Sequence, residues 1–181
     1  MEKYALLLRG INIGGKNKVA MADLRRLVAD VGFQGVQTYI NSGNLFFDTD
    51  LPSADVCQKF EDLFATHYPF VQNFSLFSAA EYERDYGSLP DWWFTDLARK
   101  DVLFFTEKLD KAATIERVKT FPLHDEIVHF GELGIYWGKK TETEFLKTTY
   151  HKKLLKEAFY KQVTVRNGKT AEKILALLRE T

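Results

Sequence analysis

Short β-rich runs and helix-spaced apolar stripes alternate along this 181-residue chain in an order that starts again near its middle, which limits the folds open to it. Tyr4 to Leu8 is a continuous apolar run that leaves into Arg9-Gly10, as a central strand would. Met21, Leu24, Leu27, Val28 and Val31 then recur at helical spacing, with Gly32 placed for a left-handed C-terminal cap. Val36 to Ile40 and Leu45 to Phe47 are β-rich and flank Asn41-Ser42-Gly43-Asn44, residue types that make a tight turn. Ser53 is placed to cap a second helix with Val56, Phe60, Leu63, Phe64 and His67 on one stripe, and Phe70 to Phe77 reads as a fourth strand. Right-handed crossovers in this β-α-β-β-α-β order predict a ferredoxin-like plait, a four-stranded antiparallel sheet with both helices on one face.

The order then recurs. Ser78-Ala79-Ala80-Glu81 has the form of a capping box and starts a connecting helix, followed by a loop with Pro90 and Trp92-Trp93. Val102 to Phe105 opens the second set; Asp110 caps a helix through Ile115 and Val118, and Glu126 to Phe130 and Leu133 to Trp137 form a hairpin turning at Gly131-Glu132. Phe145 to Tyr160 supplies the next helix and Val163 to Val165 the last strand, while Ala171, Ile174, Leu175 and Leu178 mark an extra terminal helix. The expected class is α+β: two tandem ferredoxin-like α/β-plait lobes, residues 1–77 and 101–181, joined by a connecting helix and loop over 78–100. The repeat is one of architecture, without residue-by-residue identity between the halves.

Charge matters because it is unevenly placed. Formal net charge is zero, yet Gly138 to Thr181 carries eleven Lys or Arg against five Glu, and Met1 to Asn44 carries six against three acids. Basic ends enclose an acidic middle, and if they meet in space they form a positive face that concentrates anions. The alternative is that these charges only solvate helix surfaces. The single cysteine, Cys57, excludes an internal disulfide and suits a reducing compartment, and no apolar stretch has transmembrane length; both lead to the expectation of a cytoplasmic protein with no membrane partner.

The segment richest in chemistry is Arg9-Gly10-Ile11-Asn12-Ile13-Gly14-Gly15-Lys16-Asn17-Lys18, between the first strand and first helix. Glycine allows unusual φ and close backbone approach, while Arg9, Lys16 and Lys18 supply positive charge, a combination suited to phosphate-like ligands. The spacing is neither that of a Walker A loop nor Gly-x-Gly-x-x-Gly. In the expected topology the exit of strand one and the turn holding Asn41, Ser42 and Asn44 lie at one end of the sheet, so the two segments should converge. A good turn beside a long connection would leave the same residues with no ligand. Near the C-terminus, Arg166-Asn167-Gly168-Lys169-Thr170 leads from strand into helix and adds Arg166 and Asn167, either to a site or merely to a helix start.

Other chemistry lacks a signature. His67, His124, His129 and His151 have no metal-site spacing, and His129 in its apolar strand reads as a packed, hydrogen-bonded residue. Ser42 lacks a nucleophile elbow. Neither metal nor cofactor is expected, and no residue is nominated as catalytic. Strand three lacks the aromatic order by which RNA-recognition modules stack bases.

Leu-Leu-Leu-Arg-Gly-Ile-Asn-Ile-Gly-Gly-Lys-Asn-Lys, with Met21, Leu24-Arg25, Gly32-Phe33 and Thr38-Tyr39-Ile40-Asn41-Ser42-Gly43-Asn44, closely resembles the N-terminal pattern of the bacterial proteins grouped as domain of unknown function family 1697. The resemblance weakens through the middle and returns at Thr164-Val165-Arg166-Asn167, where the family commonly continues with Trp and this chain has Gly168. It implies two α/β-plait lobes and no established activity. Arg9, Asn12, Gly14, Gly15, Lys16, Asn41, Ser42, Gly43, Asn44, Arg166 and Asn167 match its pattern, a polar set that core packing does not explain.

These readings lead to an expected binding site for a small phosphate- or carboxylate-bearing ligand, a nucleotide included, formed by the glycine loop and the hairpin turn with Arg166. Two alternatives stand beside it: nucleic-acid association through the basic ends, and a ligand-free structural or homo-oligomeric module using the aromatic surplus. Trp92 and Trp93 would clasp the lobes in the first view and form the oligomer surface in the last.

Overall fold

In a computed structural model that describes residues 1–141 and 148–181, the chain is a mixed α+β protein with two four-stranded antiparallel sheets. The first sheet contains β1 (Glu2–Leu8), β2 (Gln34–Tyr39), β3 (Asn44–Thr49) and β4 (Phe74–Ser78), in the order β2-β3-β1-β4. The second contains β5 (Arg99–Phe105), β6 (Glu126–Phe130), β7 (Gly134–Lys139) and β8 (Val163–Asn167), in the matching order β6-β7-β5-β8. Register is set by the pleat. In β1, Tyr4, Leu6 and Leu8 face one side and Ala5 and Leu7 the other, and all five are buried.

The first side of that sheet is covered by α1 (Met21–Asp30) and α2 (Ser53–His67). Leu24 and Val28 of α1 and Val56, Phe60, Leu63 and Phe64 of α2 pack on it in one apolar cluster. Phe60 is its centre, with ring centroids 5.0 Å from Phe33 and 5.1 Å from Phe47. Gly32, at φ +104°, ends α1 as its spacing predicts. Ser53 differs from expectation: it is the first helical residue, preceded by Pro52, and makes no capping bond.

The second side is buried between the two sheets. Ala5, Leu7, Phe46 and Phe77 share a cluster with Val102, Phe104 and Tyr136 of the second sheet and with α3 (Ala79–Gly87) and α6 (Gly168–Arg179). The extra terminal helix is therefore an inserted layer. Ser78 and Glu81 make the capping box that starts α3. Further along that helix, buried Asp85 accepts hydrogen bonds from the amide of Glu132 at 2.6 Å and the hydroxyl of Tyr136 at 2.7 Å, fastening the β6–β7 turn. Trp93 is buried in this layer, its ring edge-on to Tyr136 of the second sheet at 5.1 Å; Trp92 packs beside it, partly buried. At the sheet edges, Ser75 of β4 and Thr164 of β8 share a hydroxyl hydrogen bond of 2.6 Å.

The far side of the second sheet carries α4 (Lys111–Lys119), capped by Asp110, whose carboxylate accepts from the Ala113 amide at 3.0 Å. The expected helix from Phe145 to Tyr160 is not continuous. Residues 145–147 of it lie outside the described residues; the rest comprises α5 (Thr149–Lys152) and two 3₁₀ turns, Leu154–Lys156 and Ala158–Gln162. The break falls at Glu157, whose backbone is extended (ψ 141°) and whose carboxylate meets Arg117 Nη2 at 2.9 Å. Tertiary contact overrides helical spacing there. Among the described residues, no helix is long and apolar enough to cross a membrane.

Candidate functional site

Three chain segments meet at one end of the first sheet. The amide of Leu8, at the end of β1, donates to the carbonyl of Gly43 at 2.8 Å, which binds the strand exit to the β2–β3 turn. Glycine is required at 43 on two counts: φ is +89°, and a Cβ would come within 2.7 Å of Leu8 Cβ and 2.8 Å of Ile11 Cδ1. The third segment is β8, whose Arg166 crosses from the second half to the first.

The glycine loop is organised by its asparagines. Asn12, itself at φ +53°, accepts from the Val19 amide and donates to the carbonyls of Val19 and Asn41, the last at 2.9 Å. Both of its side-chain N–H groups are thus used, one closing its own loop and one joining it to the turn. Asn17 Nδ2 donates to the carbonyl of Gly10 at 3.0 Å. Between these anchors Ile13 and Lys16 pair across Gly14-Gly15, whose φ values of +58° and +74° are those of a two-residue hairpin turn. The paired glycines serve this turn.

Beside the loop lies a cleft of about 440 Å³, whose polar wall comprises Arg9, Asn12, Asn41, Ser42 and Arg166. Arg166 is held from every side. Its Nε donates to Asn44 Oδ1 at 2.6 Å, Nη1 to the carbonyl of Val165 at 2.9 Å, and Nη2 to the carbonyls of Leu8, Ser42 and Gly43 at 2.8, 3.2 and 3.3 Å. All of these acceptors are neutral. Burial pushes the Arg166 guanidinium down to about 10, and the nearby Arg9 charge pushes in the same direction, so it remains a cation at neutral pH. Arg9 lies over the Tyr160 ring, 4.7 Å from its centroid, and donates one Nη1 hydrogen bond of 2.9 Å to the carbonyl of Val163. Its Nε and Nη2 have no acceptor among the described residues.

The expected site residues thus separate into distinct places. Arg9, Asn12, Asn41, Ser42 and Arg166 share the cleft. Gly15 and Lys18 lie with Asn12 and Asn41 on an adjacent hollow of about 410 Å³, onto which the start of α1 opens. Gly14 and Lys16 belong to the exposed hairpin tip. Asn44 is wholly buried beneath the cleft as the acceptor for Arg166. Asn167 caps α6, its Oδ1 accepting from the Thr170 amide at 2.9 Å, which is the plain helix-start reading. Sequence reasoning missed Tyr160, placed in the helix that turned out to be broken; no local signal marks it as a platform for an arginine 151 positions away.

The family described as protein of unknown function (DUF1697) matches residues 1–136 of this chain. The chain belongs to that family. A DUF1697 assignment over this span covers the glycine loop and the β2–β3 turn, and stops before Tyr160 and Arg166. Among solved structures, a conserved bacterial protein, SP0830 from Streptococcus pneumoniae, is 51% identical, with a TM-score of 0.96 over 98% of this chain and 99% of that one. No curated protein matches. At position 168 this DUF1697 chain has glycine as the first residue of α6, where a Cβ would stand 3.1 Å from Lys100 Cβ, so a side chain there requires Lys100 to shift by a few tenths of an ångström.

Other candidates from the sequence find structural places. Burial pushes the half-buried Cys57 thiol up to about 11, away from reactivity at neutral pH. His129 packs against Tyr136 at 6.0 Å between ring centroids as expected, but its buried Nε2 has no hydrogen-bond partner among the described residues, so the expected hydrogen bond is not made at that nitrogen. The central-strand faces on which an RNA-recognition module would stack bases are covered on both sides, with Ala5, Leu7 and Phe46 wholly buried.

Proposed function

We propose that this protein binds a small anionic ligand, carboxylate- or phosphate-bearing, in the cleft between the end of β1, the β2–β3 turn and β8. One observation carries the reading: two guanidinium groups from opposite ends of the chain converge on the cleft, and its described lining contains no acidic residue. A buried cation surrounded only by neutral acceptors keeps an uncompensated field. Arg166 supplies that fixed charge and Arg9 the open donors. The same reading takes each half as a ferredoxin-like plait, supported by the shared strand order, so that strand-one exit and hairpin turn fall at one sheet end.

The test is a thermal-shift panel of inorganic phosphate, nucleotides and small carboxylates. A ligand that binds only the folded chain raises its Tm, by an amount that grows with concentration. The expected result is stabilisation that Arg9→Gln abolishes and Lys16→Ala, at the exposed hairpin tip, leaves intact. Stabilisation that ignores Arg9→Gln, or none from any anion, counts against the site.

A further inference from the structure

The cleft has a second wall, and it is apolar. Ile13 lines it from the hairpin flank while remaining 68% exposed, and the half-buried Val165 and the Tyr160 ring line the opposite, β8 side. An isoleucine this exposed contributes little to its own fold. Beside an arginine held over an aromatic ring, it makes the cleft amphiphilic: cationic at its base and aliphatic at its mouth.

The donor inventory narrows the anion. Arg166 has five N–H groups, and its bonds to Asn44, Val165, Leu8, Ser42 and Gly43 leave one Nη1 hydrogen at most for a ligand. Arg9 has used a single Nη1 hydrogen, and its Nε–Nη2 edge presents two parallel donors. One such edge matches the two oxygens of a carboxylate. A phosphoryl group has three terminal oxygens and is usually received by several backbone amides. Here the amide of Asn12 on the cleft donates to Asn17 within its own loop, and the start of α1, with its helix N-terminal amides, opens on the neighbouring hollow instead.

Resting on the anion-site reading above, we infer that the ligand class is a monocarboxylate with an aliphatic body, its carboxylate forked on the free edge of Arg9 and its chain lying along Ile13, Val165 and Tyr160. The fixed charge of Arg166 strengthens the pull on the carboxylate without touching its geometry.

Calorimetric titration of the full chain with acetate, butanoate, hexanoate and octanoate tests this, with inorganic phosphate and adenosine monophosphate as separate arms. Affinity is expected to rise about twofold to fourfold per added methylene, as apolar surface leaves water. Arg9→Gln removes binding of the whole series. Ile13→Ser, on an exposed position that the fold does not need, flattens the dependence of affinity on length. Phosphate or the nucleotide binding more tightly than every carboxylate, through Arg9, overturns the carboxylate assignment and leaves the anion site standing. No length dependence in the parent chain, or one that survives Ile13→Ser combined with Val165→Thr, overturns the apolar wall. Silence from all six compounds removes both.

Discussion

Arg166 Nε donates to Asn44 Oδ1 at 2.6 Å across 122 positions of sequence, joining the last strand of the second sheet to the turn-proximal end of β3 in the first. The same guanidinium reaches three carbonyls of the first half, so one side chain both sews the halves together and sets the charge of the cleft. Changing its acceptor separates these two roles.

Asn44→Ala leaves a buried guanidinium one acceptor short and is expected to cost about 1–3 kcal/mol of stability, read by urea unfolding. Asn44→Asp keeps the acceptor for Arg166 and adds a charge that compensates it, while giving up the Nδ2 bond that Asn44 donates to the Tyr39 carbonyl at 2.9 Å. This variant is expected to stay folded at 37 °C or below in circular dichroism, yet to lose affinity for any anion that binds the cleft. Unchanged affinity in folded Asn44→Asp contradicts a charge-driven site.

Gly43→Ala meets two penalties, a left-handed backbone and contacts with Leu8 and Ile11 that are far too close. The expected loss is at least about 1–3 kcal/mol. The shift should register by NMR at Leu8 and Ile11 in addition to the turn, because the strand exit must move to admit the methyl group.

Ile40 is a β-branched residue at φ +52° and nearly half exposed. Ile40→Asn, with a side chain that tolerates this backbone, is expected to raise stability by about 1 kcal/mol. A Tm at or below that of the parent chain shows that the isoleucine contacts outweigh the strain.

Acid should loosen the packing of α3. The bond from Arg179 holds the Glu83 carboxylate below its ordinary value, and that from Arg84 does the same for Glu132. A carboxylate lowered in the folded state stabilises above its unfolded pKa, and that contribution is lost as pH falls through the lowered folded value. Both groups are solvent-exposed, so the effect is modest and screened by salt. The Glu83→Gln plus Glu132→Gln variant is expected to show a shallower fall in Tm than the parent from pH 6 to pH 3 at low ionic strength, the difference shrinking in high salt.

Much of the architecture is readable from residues in order. The continuous apolar run of Tyr4 to Leu8, the helical stripe from Met21 to Val31 and the capping residues Ser78, Asp110 and Asn167 are local signals, each decided within a few positions by backbone geometry and side-chain period. The broken helix before β8 was not readable in this way, because Glu157 leaves the helical backbone beside a partner, Arg117, 40 positions earlier.

The site divides along the same line. By itself the sequence determined that a glycine-rich cationic loop and an Asn-Ser-Gly-Asn turn leave one end of a sheet, since turn chemistry and strand order require it. Only tertiary structure decided that Gly14 and Gly15 spend their freedom on a hairpin turn, that Asn12 and Asn44 are internal fasteners, and that Tyr160 holds Arg9 in place. A side chain's hydrogen-bonding capacity is a property of its residue type, but which capacity remains unspent depends on neighbours delivered from distant positions. That remainder, the free edge of Arg9 above the enclosed charge of Arg166, exists only once both ends of the chain are packed together.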